Sequence, residues 1–202
     1  MTKPSIEFDS EKHIYTVNGV KMPSVSELIE PITAKHYGSI NKEMLEMAAL
    51  RGTIVHEACE DIDYDLEVEV SEEYAGYVEA YVKWLTDYKP EMLGIELMLY
   101  CDAYKFCGTV DRWCVIDGEE CVVDIKTTTS PTKANYIAGC LQTRAYQIAL
   151  ESAKRRFLLY LKANGEYRLV DCDEYEKRHN FNSTSLFGLC LDIYEETERN
   201  WK

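Results

Sequence analysis

Residues Cys107–Thr129, with the sequence CGTVDRWCVIDGEECVVDIKTTT, decide the fold of this chain. Two runs rich in Val, Ile, Thr and Trp flank Asp117-Gly118, the dipeptide that best tolerates the positive φ angles of a tight type I′ turn. The stretch therefore predicts a β-hairpin. If the two turn residues form the whole loop, Asp111 lies directly opposite Asp124. A four-residue loop would instead place Asp111 opposite Lys126.

With the shorter loop, Asp111, Asp124 and Lys126 share one face of the hairpin, because side chains alternate along a strand. The opposite face is apolar apart from Arg112 and suits a core. Its apolar members are Val110, Cys114, Ile116, Cys121, Val123 and Ile125.

Two carboxylates in directly opposed positions repel, since their Cβ atoms lie about 4.5–5.5 Å apart. A hard divalent ion such as Mg²⁺ or Mn²⁺ between them removes that repulsion, and Lys126 adds a positive charge beside it. Two acids, a metal ion and a lysine are the groups that hydrolysis of a phosphodiester needs. The alternative is a solvated strand face on which Lys126 simply pairs with a carboxylate.

The composition is that of a soluble globular protein: 46% of the 202 residues are hydrophobic and 29% are charged. We expect a single domain over residues 1–202, with an N-terminal β-hairpin at about 5–22 and a helical C-terminal extension at about 173–202. No apolar run approaches 18 residues and the start of the chain is polar, so the sequence predicts a cytoplasmic protein without a membrane span or signal peptide.

The net charge of −14 argues against a nucleic-acid partner, because DNA binding normally draws on a basic surface. Metal ligands are themselves acidic, however, and the acids concentrate in residues 57–73 and 171–198. The segment between them carries Lys126, Lys133, Arg144, Lys154, Arg155 and Arg156. Any affinity for DNA should therefore be modest and strongly salt-dependent.

The eight cysteines contain no Cys-x-x-Cys pair, and most lie in apolar strands or helices. Free cysteine behaves there as a small hydrophobic residue, so we predict reduced core cysteines, with neither a zinc site nor an iron–sulfur cluster.

Periodicity predicts an α/β fold with helices on both sides of the hairpin in the chain. The predicted elements are helices at 41–63, 72–88 and 133–152, and strands at 93–101 and 155–162. His56 and Glu60 lie four residues apart on the first helix, where a lone histidine is usually a surface or core residue. Glu96 interrupts an apolar strand and either points to solvent or adds an acid to the metal cluster. Gln142 and Tyr146 share a face of the third helix.

This order of elements resembles the PD-(D/E)XK nuclease superfamily, in its RecB-like and phage exonuclease branch. The matching motifs are GTIVH at 52–56, GTVDR at 108–112, VDIKT at 123–127 and QTRAY at 142–146. Each motif alone is weak, but four in the right order on the right elements are a strong signal. The stretch Tyr15–Leu28 is also similar to phage members. The proline of the superfamily name is absent before Asp111, as is the cysteine set that binds a cluster in some relatives.

The resemblance implies a restriction-endonuclease-like core, with a central mixed β-sheet of three antiparallel strands plus a later strand, flanked by helices. It implies that His56, Asp111, Asp124 and the main-chain carbonyl of Ile125 bind Mg²⁺ or Mn²⁺, and that Lys126 is catalytic. Asp111 and Asp124 count among the catalytic residues too. The site would also include Gln142 and Tyr146, and Glu60 and Glu96 are further candidate ligands.

The function implied is a metal-dependent deoxyribonuclease, an exonuclease acting on linear DNA ends in recombination or repair, of phage or prophage derivation and with a recombination protein as a further partner. The rival hypothesis is a non-catalytic nucleic-acid- or protein-binding module on a nuclease-like scaffold, which the acidic charge favours. A metal hydrolase acting on a small phosphorylated substrate is a third hypothesis.

Overall fold

The computed structural model describes residues 4–37, 41–128 and 130–199. In chain order the strands are β1 (Ile6–Asp9), β2 (Ile14–Val17), β3 (Val20–Met22), β4 (Glu91–Cys101), β5 (Phe106–Ile116), β6 (Glu119–Lys126), β7 (Arg155–Leu161) and β8 (Tyr167–Asp171). The helices are α1 (Val25–Tyr37), α2 (Lys42–Asp63), α3 (Glu72–Tyr88), α4 (Lys133–Leu150), α5 (Cys172–His179) and α6 (Ser183–Tyr194), followed by a π-helical turn at Glu195–Arg199.

The predicted hairpin is formed by β5 and β6, joined at Asp117-Gly118, where both φ angles are positive (53° and 80°). The strands keep a constant register from the turn to Arg112, which lies opposite Val123. This register brings Asp111 next to Asp124. The two-residue turn is therefore confirmed and the four-residue alternative is wrong.

The central sheet has the order β4-β5-β6-β7-β8. Strand β5 is antiparallel to both β4 and β6, β7 is parallel to β6, and β8 is antiparallel to β7. A parallel pair needs a long crossover, which α4 supplies between β6 and β7. The predicted fold class, an α/β fold with a mixed central sheet flanked by helices, is confirmed.

Each face of the central sheet is covered by helices. One core cluster joins α2 and α3 to the sheet and includes Tyr81, Trp84 and Ile125. A second joins α1, α4 and α6 to the sheet and includes Leu141 and Phe187. All eight cysteines are free and buried, as predicted.

Val110 is an exception to the predicted apolar face, because it packs into the cluster with α1, α4 and α6. The regular pairing of β5 with β6 ends with Arg112 opposite Val123, one step before Asp111. There the N–H of Ile125 donates to Asp111 Oδ2 at 2.6 Å, which replaces a main-chain acceptor by a side chain. The interrupted ladder explains why simple alternation fails at this end of the hairpin.

The N-terminal segment differs from the predicted hairpin, because β1, β2 and β3 form a three-stranded antiparallel sheet. Asn18 and Gly19, whose φ angles are both positive, form the turn that joins β2 to β3. This sheet is fastened to β5 by a hydrogen bond between Tyr15 and Thr109 and by one from Cys107 N–H to the carbonyl of Pro23. Across the described ranges, no helix is both long and apolar enough to cross a membrane.

Candidate active site

An open cavity of about 700 Å³ lies where the N-terminal sheet, α2, β4, β5 and α4 meet. His56, Glu60, Glu96, Gln142 and Tyr146 line the cavity. Because three separate elements, α2, β4 and α4, deliver these side chains, the site exists only in the folded chain.

His56, Glu96 and Asp111 form a cluster of donor groups that could hold a metal ion. One ligand atom from each residue lies within 4.8 Å of the other two. His56 Nδ1 is 3.5 Å from Glu96 Oε1 and 3.8 Å from Asp111 Oδ2. The sequence predicts that Glu96 either points to solvent or joins the metal cluster. Its carboxylate points to His56 and Asp111.

The hydrogen bonds of His56 determine which of its ring nitrogens faces the carboxylates. Its Nε2 lies 3.0 Å from the carbonyl oxygen of Ile125, which can only accept, so Nε2 carries the hydrogen. In the neutral imidazole the lone pair of Nδ1 then faces two carboxylates. Burial lowers the pKa of His56, but the charges of Asp111 and Glu96 outweigh burial and leave that pKa raised. The geometry thus favours a cation at Nδ1, either a proton or a metal ion.

Glu96 is held by an unusual backbone conformation inside a strand. Its φ angle is +42°, in the left-handed region that strains a residue with a side chain. The neighbouring pairs, Ile95 with Arg112 and Leu97 with Val110, keep the register of β4 and β5 on both sides. The strain is therefore local to the position opposite Asp111, as expected for a residue turned toward a site.

Arg112 is the site residue that the sequence interpretation missed. Its side chain is fully buried, and its Nη1 donates to Glu96 Oε1 at 3.0 Å. Its Nε donates to Asp63 Oδ2 at 2.5 Å, and the Tyr81 hydroxyl donates to the same carboxylate. Burial raises the pKa of Asp63 despite the neighbouring guanidinium. The available signal was that Arg112 was the one charged residue on the otherwise apolar hairpin face.

Asp124, Lys126, Gln142 and Tyr146 form a second chain of contacts. Lys126 Nζ donates to Asp124 Oδ1 at 3.0 Å and to Gln142 Oε1 at 3.1 Å. Gln142 Nε2 donates to the Tyr146 hydroxyl at 3.0 Å. Asp124 is completely buried, which raises its pKa to about 6 even though Lys126 opposes that effect.

Tyr146 has room beside the site only because residue 108 is glycine. A Cβ on Gly108 would lie 2.7 Å from Tyr146 Cε1, closer than real Cβ atoms approach, and would make a tight contact of 3.0 Å with Val25 Cγ2. The glycine of the GTVDR motif therefore leaves the space that the tyrosine of the QTRAY motif occupies. The sequence alone did not reveal this pairing.

Three predicted ligands stand apart from the His56, Glu96 and Asp111 cluster. Asp124 pairs with Lys126, and the Ile125 carbonyl accepts the His56 hydrogen bond. Glu60 borders the cavity, and its pKa is raised first by burial and then by the charge of Glu96. These residues lie near the cluster without joining it.

The donor set fits a hard divalent ion. Imidazole nitrogen and carboxylate oxygens suit Mn²⁺ and Mg²⁺, and they converge here from three elements. Asp124 lies outside this set of three: its Oδ2 is buried and 2.8 Å from Lys126 Nζ, so the ammonium balances its charge.

No curated protein sequence matches the chain. An alkaline exonuclease (LHK-Exo) from Laribacter hongkongensis is similar in structure, at 11% identity and a TM-score of 0.39, covering 89% of this chain and 92% of that one. Its complex with dAMP has 8% identity and a TM-score of 0.37, covering 90% and 95%. The structure of SSO0001 has 15% identity and a TM-score of 0.33, covering 85% of both chains.

The family assignment rests on the sequence match. The family model of the PD-(D/E)XK nuclease superfamily matches residues 32–182, which is most of the chain. The matched range contains His56, the β5–β6 hairpin and α4. The chain therefore belongs to the PD-(D/E)XK nuclease superfamily.

Proposed function

We propose that this protein is a divalent-metal-dependent deoxyribonuclease, an exonuclease that hydrolyses linear DNA from its ends in recombination or repair. The observation that carries the proposal is the convergence of His56, Glu96 and Asp111 beside the ion pair of Lys126 with the buried Asp124. Membership of a nuclease superfamily supplies the reaction class. The resemblance to phage members extends the proposal to a phage or prophage origin and to a recombination protein as partner.

His56, Glu96 and Asp111 would hold the metal, and Asp124 and the Ile125 carbonyl are the further candidate ligands. A bound divalent ion lowers the pKa of its water and neutralises charge on the scissile phosphate. Because imidazole suits Mn²⁺ better than Mg²⁺, activity should be higher with Mn²⁺.

Lys126 would orient the attacking water and stabilise the negative charge that develops on the phosphate. Its ammonium is held in place by Asp124 on one side and by Gln142 on the other. Tyr146 fixes the amide of Gln142 in turn. These contacts favour a lysine positioned before substrate arrives, which limits the rearrangement needed for reaction.

The decisive experiment is incubation with linear and closed-circular DNA in Mg²⁺ or Mn²⁺. We expect cleavage of linear DNA only. Asp111→Asn and Lys126→Met should each lower the rate at least about 100-fold, the usual effect of removing one group that stabilises the transition state. Lys177→Met, on the exposed face of α5, is the matched control and should retain full activity. Undiminished cleavage by folded Asp111→Asn protein would refute the assigned site.

A non-catalytic binding module remains the second candidate, favoured by the net charge of −14. Titration calorimetry with Mn²⁺ separates the two functions. A nuclease site should bind the ion and lose that binding in His56→Ala, whereas a degenerate scaffold should bind none.

A further inference from the structure

One wall of the cavity is aromatic and comes from the N-terminal sheet. Phe8 and Tyr15 are paired across β1 and β2, with stacked rings whose centroids are 4.4 Å apart. The ring of His13 meets Phe8 edge-on at 5.2 Å. Tyr15 is buried, but Phe8 is half-buried and His13 is exposed, so these two rings are accessible from the cavity.

The position of His13 is set by its backbone. Its φ angle is +54°, at the end of the turn that joins β1 to β2. Residues other than glycine adopt this conformation infrequently. The turn thereby holds the imidazole beside Phe8 at the border of the cavity.

This aromatic wall is fixed relative to the acid cluster. The hydroxyl of Tyr15 lies 2.9 Å from Thr109 Oγ1, and Thr109 is two residues before Asp111 on β5. The aromatic wall and the His56 cluster border the same cavity. A ligand long enough to span this space can therefore contact both.

The chemistry of the wall suits a neutral planar group. The N-terminal sheet contributes Phe8, Ser10, His13 and Tyr15 to the cavity, and none of these is an acid or a lysine. Aromatic side chains stack on any nucleobase, because every base has a π-face. Within a duplex those faces are covered by neighbouring bases, so only an unpaired or extruded base can stack on protein. A volume of about 700 Å³ is that of a site for a small ligand.

We propose that Phe8 and His13 form a subsite for an unpaired nucleobase at the end of a DNA strand, with the adjoining phosphodiester at the His56, Glu96 and Asp111 cluster. The subsite rests on the proposed function and specifies its substrate as a strand end whose terminal base is free. A blunt duplex end must then fray before it is cleaved.

The test compares two end-labelled single strands that differ only in whether the terminal nucleotide carries a base or is abasic. Binding is followed by fluorescence anisotropy with Ca²⁺ present. The label is on the end of the strand that is remote from the varied terminal nucleotide. The parent protein should prefer the base-bearing end by about 5- to 150-fold, the range measured for one base–aromatic stack. His13→Ala and Phe8→Leu should lose most of that preference.

Tyr104→Leu is the matched control, since Tyr104 is an exposed aromatic residue that does not border the cavity. It should keep the preference of the parent. Equal binding of both ends by the parent, or an unchanged preference in folded His13→Ala and Phe8→Leu, would overturn the subsite. Cleavage of linear DNA by the parent in Mn²⁺ is measured separately, so that the subsite and the nuclease function can fail independently.

Discussion

Arg112 shows how a single buried charge supports the site. It contacts Asp63 on one side and Glu96 on the other while having no exposed surface. Removing one partner of a buried ion pair is strongly destabilising, because it leaves an uncompensated charge.

We predict that Arg112→Met lowers the free energy of unfolding by about 3–5 kcal/mol in urea titrations. The double variant Arg112→Met/Asp63→Asn should recover part of this loss, because it removes the stranded carboxylate. Strictly additive effects of the two substitutions would contradict a direct pair. Lys83→Met, which removes one member of an exposed ion pair on α3, is the control and should change the stability by less than about 1 kcal/mol.

Glu96 offers a test of the metal cluster that does not depend on activity. Glu96→Gln keeps the length of the side chain and a hydrogen bond to Arg112 but removes the charge. We expect its affinity for Mn²⁺ to fall about 10- to 100-fold, and the rise of Tm with Mn²⁺ to shrink accordingly. Glu57→Gln, one helix position from His56, should bind Mn²⁺ like the parent. Equal Mn²⁺ affinity in Glu96→Gln and parent would exclude Glu96 as a ligand.

At the residue scale, the sequence supports those parts of the site that are local. The opposition of Asp111 and Asp124 follows from counting back from one turn, because the register of the hairpin is constant up to Arg112 and Val123. Arg112 could be marked only as a misfit, since its partner Asp63 lies 49 residues away. Nothing local encodes such a contact.

The same contrast holds for whole elements. Helices α2, α3 and α4 and the long strands follow from hydrophobic periodicity, and their predicted ends lie close to the observed ones. The three-residue strand β3 carries too few positions for a periodic signal. The break in alternation at Asp111 depends on a side chain accepting the Ile125 N–H, which no propensity scale describes.

Substitution of Gly108 on β5 and of Gly52 on α2 by alanine provides a matched pair of tests of how these elements pack. Gly108→Ala should destabilise the protein by about 1–3 kcal/mol, because the added methyl group overlaps Tyr146 and forces β5 and α4 apart. Gly52→Ala on α2 should stabilise it by up to about 1 kcal/mol, since the added methyl group meets no atom within 4 Å and alanine is the better helix former. Urea unfolding measures both.

An equal loss of stability in the two glycine variants would show that the contact between Gly108 and Tyr146 is not tight. Gly108→Ala should also lower nuclease activity, because Tyr146 orients Gln142 and through it Lys126. Tyr146→Phe removes the hydroxyl that accepts from Gln142 and adds no methyl group. A lower nuclease activity of this variant would therefore test the role of the hydrogen bond itself.

For the molecule as a whole, the net charge of −14 determines how DNA can be held. Phosphates approaching the cavity meet Glu57, Glu60 and Glu96, so binding should depend on a divalent ion to offset those charges. Three basic residues are placed as follows in the fold: Lys126 ends β6, Lys133 begins α4, and Arg51 lies on α2. Arg51 is positioned by a hydrogen bond to Thr127.

We therefore predict weak single-strand binding that neutralises about three phosphates, with a slope of log affinity against log salt of about −2 to −3. Affinity should then fall roughly 15- to 60-fold between 50 and 200 mM salt, measured by anisotropy with Ca²⁺ present. Arg51→Ala should make the slope shallower by about one, whereas Lys177→Met should leave it unchanged. Tight binding without a divalent ion, or a slope well beyond −3, would mean that DNA is held by a basic surface away from the cavity.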